Sequence, residues 1–126
     1  MAFGKILIID DDPDIRSYLH TLFEGWSFDV VTADNGTDGL AKAIESQPAL
    51  VLLDLNMRGV TGFDTARQLR ADPRTAKIPI LAVTALNKAE DRDEAHLAGC
   101  DAVISKPINT KTLYTAVTRY FGQLHV

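Results

Sequence analysis

Short apolar runs recur about every 25 residues, and this spacing is what most narrows the folds open to the chain. They are Lys5-Ile6-Leu7-Ile8-Ile9, Phe28-Asp29-Val30-Val31, Leu50-Val51-Leu52-Leu53, Ile78-Pro79-Ile80-Leu81-Ala82-Val83 and Ala102-Val103-Ile104. Five strands are implied. The first, third and fourth are almost continuously apolar, which suits strands buried on both faces of a parallel sheet. The stretches between them carry helical spacing: Ile15, Leu19, Leu22 and Phe23; Leu40, Ala43 and Ile44; Leu113, Ala116, Val117, Tyr120 and Leu124. Pro13 suits a first helical turn, Asn87 and Asn109 are placed as N-caps, and Gly99 is placed as a helix stop. Five βα units with short connections predict a doubly wound α/β sandwich, with strand order 2-1-3-4-5.

The 126 residues, 46% of them apolar, are the size and composition of one domain, so 1–126 is read as a single unit. One cysteine, Cys100, rules out an internal disulfide and a multi-cysteine zinc site. Apolar stretches of about four residues fall far below the ~20 that a membrane span needs, and Met-Ala-Phe-Gly-Lys does not continue into a signal peptide, so a cytoplasmic protein without membrane insertion is expected. A net charge of −4 argues against sequence-independent nucleic-acid binding through a basic surface.

Ligands of open parallel sheets bind beyond the carboxyl ends of the strands. Strand one ends there in Asp10-Asp11-Asp12, strand three in Asp54-Leu55-Asn56, strand four in Thr84-Ala85, and strand five in Ser105-Lys106-Pro107. Carboxylates ~4–6 Å apart repel by a few kcal/mol at an effective dielectric of ~20, so one stays protonated or a cation binds. Mg²⁺ suits an open rim that offers a few carboxylate oxygens and leaves room for water and a phosphate. Lys106 would supply fixed positive charge to a phosphoryl group and Thr84 a hydroxyl. Asp12 and Asp14 read as helix-capping residues. Capping does not explain an apolar strand running directly into Asp twice, at Asp10-Asp11 and again at Asp54.

The ordered set Ile-Asp10-Asp11, Leu-Leu-Asp54-Leu-Asn56-Met57, Val-Thr84-Ala85 and Ser105-Lys106-Pro107 resembles the receiver domains of two-component response regulators, over Lys5 to about Phe121. Ala98-Gly99-Cys100-Asp101 and Ile104-Ser105-Lys106-Pro107-Ile108 look most like stand-alone receivers and those attached to hybrid kinases. The resemblance implies a flavodoxin-like fold and a phosphoacceptor, Asp54, that takes the group from a phosphohistidine on a sensor histidine kinase or histidine phosphotransfer protein. It implies Mg²⁺ bound by Asp11, Asp54 and the backbone carbonyl of Asn56, with Asp10 acting through a metal-bound water. Lys106 would bridge Asp54 and a phosphoryl oxygen, Thr84 would hold another, and the peptide before Pro107 would be cis and aim Lys106. Such a chain is a switch that binds an unknown protein target through its last two helices, not a multiple-turnover enzyme. No output domain is expected after the last helix, and so no direct DNA binding.

Other readings fit the residues less well. An aspartate-nucleophile phosphohydrolase wants Asp-x-Asp-x-Thr/Val, whereas Asp10 to Asp14 lacks the Thr or Val, and no length remains for a cap domain. A calcium loop fails at Ile15 and Thr21. A flavin site would need a hydroxyl- and glycine-rich loop after strand one. A receiver that docks without being phosphorylated would not need the whole acidic set together with Thr84 and Lys106.

Two places depart from the family's pattern, and a third residue bears on hydrolysis. Val103 stands where many members carry a rotating Tyr or Phe, and a β-branched residue is stiff and short. Arg58-Gly59 stands where Pro is common. Leu86, two residues after Thr84, lies beside the expected path of water to an aspartyl phosphate, which predicts slow dephosphorylation. The segment Lys88–Ala98 holds Leu97 as its only large apolar residue, so this helix is expected to be weakly held and to move with the loop from Thr84. His20, His96 and His125 are too scattered for a metal site, Trp26 and Phe28 should pack near the second strand, and Asn35-Gly36-Thr37 reads as a helix start.

Overall fold

In a computed structural model, which describes residues 4–86 and 88–121, five strands alternate with five helices. In chain order they are β1 (Lys5–Ile9), α1 (Pro13–Gly25), β2 (Asp29–Ala33), α2 (Gly36–Ser46), β3 (Leu50–Leu53), α3 (Gly62–Ala71), β4 (Ile80–Thr84), α4 (Ala89–Ala98), β5 (Ala102–Ser105) and α5 (Thr110–Phe121). All pairings are parallel, in the order β2-β1-β3-β4-β5. The near-continuous apolar runs are the three inner strands, and the less regular β2 and β5 are the edges.

Alternation along each strand divides the core in two. Ile6, Ile8, Leu50, Leu52, Leu81 and Val83 face α1 and α5, where they meet Leu19, Phe23, Leu113 and Val117. Their neighbours Leu7, Ile9, Val51, Leu53, Ile80 and Ala82 cluster with Ala43 of α2, Ala66 and Leu69 of α3, and Ala95 and Ala98 of α4. Trp26 and Phe28 are buried beside β2 in an edge-to-face set with Phe23, Tyr114 and Phe121. Burial pushes the Cys100 thiol up to about 11, so it remains a neutral apolar filler at neutral pH.

Local chemistry sets the boundaries. Asp12, Asn35 and Thr61 each cap a helix through a side-chain oxygen, Pro13 opens α1, and Asn109 Oδ1 accepts from the Thr112 N–H at the start of α5. Gly99 closes α4 at φ +112°, a conformation that disfavours a side chain. Two expected strand starts shift. β4 begins at Ile80, because Pro79 has no N–H to give the ladder, while the Ile80 N–H goes to Asp101 Oδ2. Phe28 donates back to the Phe23 carbonyl, so β2 begins at Asp29. The N-cap of α4 is Lys88, one residue beyond the expected Asn87, and its N–H bonds to Asp91 Oδ2. Asn87 itself, like Leu124 and His125, lies outside the described residues.

Helix α4, expected to be weakly held, buries little apolar surface. Among its apolar residues only Ala95 and Ala98 are buried, and Leu97 is 89% exposed. At ~0.8 kcal/mol per buried methylene-sized group, two alanines contribute little beside the leucines and phenylalanine of α1 and α5. Polar contacts attach it instead: Arg67 to Glu94, Arg70 Nε to the Gly99 carbonyl, and Arg92 to Ser105 Oγ at 2.7 Å across Val103. Val103 is partly buried and lines a groove of about 520 Å³ with Ile104, Lys111, Thr112, Thr115 and Arg119.

Candidate functional site

The parallel ladder continues one residue past three strands and thereby assembles the carboxyl-end rim. The Asp10 N–H donates to the Ala33 carbonyl, that of Asp54 to Ile9, and that of Lys106 to Thr84, at 2.7–3.1 Å. Residues far apart in sequence thus project from adjacent, hydrogen-bonded backbone. Carboxylate oxygens of Asp10, Asp11 and Asp54 lie within 4.8 Å of one another, the one group among the described residues with a geometry that could hold a metal ion. Asp10 and Asp54 are buried, at 2% and 6% exposure, and Asp11 sits at the mouth.

Each carboxylate is already engaged. Asp10 Oδ1 accepts from the Asp12 N–H and its Oδ2 from Lys106 Nζ at 3.0 Å. Asp54 Oδ1 accepts from the Asn56 N–H, and its Oδ2 lies 3.5 Å from the same ammonium. Asp11 Oδ2 accepts from the backbone N–H and the guanidinium of Arg58. Burial raises the Asp54 carboxyl above its ordinary range. The Asn56 N–H offsets part of that rise, the charge of Asp10 adds to it, and Lys106 opposes it. Lys106 is itself partly desolvated, yet its bond to Asp10 and the field of Asp54 hold its ammonium above the ordinary lysine value. A rim with more buried negative charge than one lysine neutralises is chemically suited to a hard cation with oxygen ligands.

Thr84 ends β4 fully buried, and its Oγ1 accepts from the Leu86 N–H at 3.1 Å. Leu86 packs, partly exposed, against the core on the α2–α3–α4 face. Asn56 is exposed beside Asp54, and the Lys106–Pro107 peptide is cis, as the resemblance implied. Asp12 and Asp14 stay outside the cluster and serve α1. His20 pairs with Glu24, and His96 Nδ1 lies 3.0 Å from the Cys100 carbonyl, so neither approaches the rim cluster.

Three contributors escaped the sequence reading. Arg16 binds the Asp10 carbonyl at 2.8 Å and fixes the turn out of β1. Arg58 reaches back to Asp11. Gly62, the first residue of α3, lies so close to Asp54 that a Cβ there would run into the Asp54 carbonyl oxygen and the Leu55 Cα. The glycine within Thr61-Gly-Phe was the only signal for that approach, and neither Arg16 in α1 nor Arg58 in the loop after β3 shows in sequence where its guanidinium lands.

Comparison with known proteins points the same way. The family model described as the response regulator receiver domain matches residues 6–118. Protein PilH of Pseudomonas aeruginosa is 34% identical over 114 residues, covering 90% of this chain and 94% of PilH. The DNA-binding dual master transcriptional regulator RpaA of Synechocystis sp. is 39% identical over 113 residues, but this chain spans only 47% of RpaA's length against 90% of its own. Among solved structures, chemotaxis response regulator CheY4 of Vibrio cholerae superposes with a TM-score of 0.87 at 30% identity, covering 95% of this chain and 98% of CheY4.

Proposed function

From the premise that this chain belongs to the response regulator receiver family, we propose that it accepts a phosphoryl group on Asp54 from a phosphohistidine of a sensor histidine kinase or histidine phosphotransfer protein. The observation that carries this reading is the joining of Asp10, Asp11, Asp54 and Lys106 on one rim by the strand ladder. An Asp54 carboxylate oxygen attacks phosphorus as the P–N bond to the imidazole breaks, and the electron pair leaves with the imidazole nitrogen. Positioning and charge neutralisation dominate such a step. Lys106 already faces Asp54 Oδ2, where it can meet an equatorial phosphoryl oxygen, and the Thr84 hydroxyl retains a proton to donate to another.

Magnesium fits this donor set. Asp11, Asp54 and the Asn56 carbonyl would hold it and Asp10 would act through water, the division of roles that the family resemblance implies. When bound, the ion supplies neutralising charge for the phosphoryl oxygens. The protein turns over no independent substrate in this reading. Its output is a changed surface of the last two helices, α4 and α5, presented to a protein target. With the stiff Val103 in β5, that change would run from Thr84 through the following loop to α4, whose attachment is mostly polar.

The deciding experiment is labelling by a small phosphodonor. Wild type should gain one phosphoryl mass only with Mg²⁺ present, and Asp54→Asn should gain none. Labelling of Asp54→Asn at the wild-type level, or multiple-turnover release of phosphate from a monoester, would sink the reading. Leu86 gives a second expectation: Leu86→Ala should speed loss of phosphate severalfold by opening the approach of water, followed by mass spectrometry after donor removal. An unchanged rate would remove that role from Leu86.

A further inference from the structure

Every carboxylate of the rim is met by a cation of the protein, but Asp11 is met by one that phosphoryl acceptance does not use. Lys106 serves Asp10 and Asp54. Asp11 receives Arg58 from the β3–α3 loop, with the backbone N–H at 3.2 Å and the guanidinium Nε at 3.4 Å, both on Oδ2. We propose that Arg58 is a built-in counter-ion of the metal site, which holds Asp11 Oδ2 while no ion is bound, gives way when a divalent cation takes that oxygen, and so sets how tightly the chain binds the cation. The inference rests on the reading of Asp11 as a metal ligand.

The geometry makes this exchange possible. A guanidinium and a divalent cation on one carboxylate oxygen repel each other, so occupancy by one weakens the other. The Arg58 side chain is 92% exposed and surrenders little packing when it swings away, whereas Asp11, at 23%, stays anchored. Loss of the guanidinium leaves the backbone N–H in place, so the carboxylate keeps a donor. Exposed pairs of this kind are weak, which limits the expected change in affinity to about two- to fivefold.

Magnesium titration by calorimetry on the full chain tests this. Arg58→Gln should bind Mg²⁺ about threefold more tightly than wild type. Lys77→Gln, which removes the same charge from an exposed position just ahead of β4, should leave affinity unchanged. In wild type, the Arg58 Nε resonance should shift as the ion saturates. Equal or weaker binding by Arg58→Gln, equal tightening by Lys77→Gln, or an unmoved Nε resonance would each overturn the proposal. Failure of the wild-type chain to bind Mg²⁺ at all would overturn the metal reading as well, whereas binding indifferent to Arg58 overturns this inference alone.

Discussion

Lys106→Met should lower the unfolding free energy at neutral pH by about 2–3 kcal/mol, measured by urea denaturation without divalent ions. The ammonium is shared by two carboxylates exposed only 3% and 6% at their side chains, so its loss leaves buried negative charge without a cation. Methionine keeps most of the stem's packing, which makes the loss mainly electrostatic. Its pH dependence follows from Asp54. Burial and Asp10 already raise that carboxyl, and removing Lys106 removes a group that lowers it. Folded Asp54 therefore holds its proton at pH values where the unfolded residue, near 3.8, has lost it. Stability of the variant then rises on acidification through that window, and its deficit against wild type shrinks. Magnesium offers a second check. A bound cation replaces part of the missing charge, so the variant should bind Mg²⁺ more tightly than wild type and the deficit should narrow when the ion is added, by about 1.4 kcal/mol for each tenfold difference in affinity. A deficit independent of both pH and Mg²⁺ would mean that the lysine acts through packing alone.

The same residues show what a one-dimensional reading can reach. Asp10, Asp54, Thr84 and Lys106 were legible because a parallel sheet brings the ends of its strands to one rim, so residues that terminate apolar runs are placed by topology alone. Three runs apolar throughout marked the central strands and two mixed ones the edges, whereas the full order 2-1-3-4-5 came from the doubly wound fold and in part from the family resemblance. What escaped depends on distances between elements. The attachment of α4 rests on Arg67, Arg70 and Arg92 reaching across to other elements, and an arginine's spacing in sequence does not say where its guanidinium lands. Arg58 was visible as a departure from the family's pattern, but its contact with Asp11 spans 47 positions. The shifted start of β4 has a local cause, the missing N–H of Pro79, and was open to the sequence reading.

Gly62→Ala should destabilise the fold by about 3 kcal/mol, although helix propensity alone favours alanine by up to ~1 kcal/mol. A methyl group there overlaps the Asp54 carbonyl oxygen and the Leu55 Cα, and backbone on both sides leaves no flexible side chain to yield. Two adjustments are open, and each has a cost. Helix α3 can retreat, which loosens Ala66 and Leu69 from the core and stretches the 3.2 Å bond from the Gly62 N–H to the Leu55 carbonyl. Otherwise the β3 terminus shifts and carries Asp54 away from Lys106 and Asp10, so Mg²⁺ binding and phosphorylation should fall along with stability. Gly25→Ala is the matched control, because a Cβ at the end of α1 meets nothing within 4 Å and should leave stability unchanged or slightly raised. Urea midpoints of the two variants, with Mg²⁺ titrations of each, separate contact from propensity. If both glycines respond alike, the close approach of α3 to Asp54 does not constrain the site. If only Gly62→Ala loses stability and metal affinity together, the helix that follows the acceptor strand also fixes the position of the acceptor.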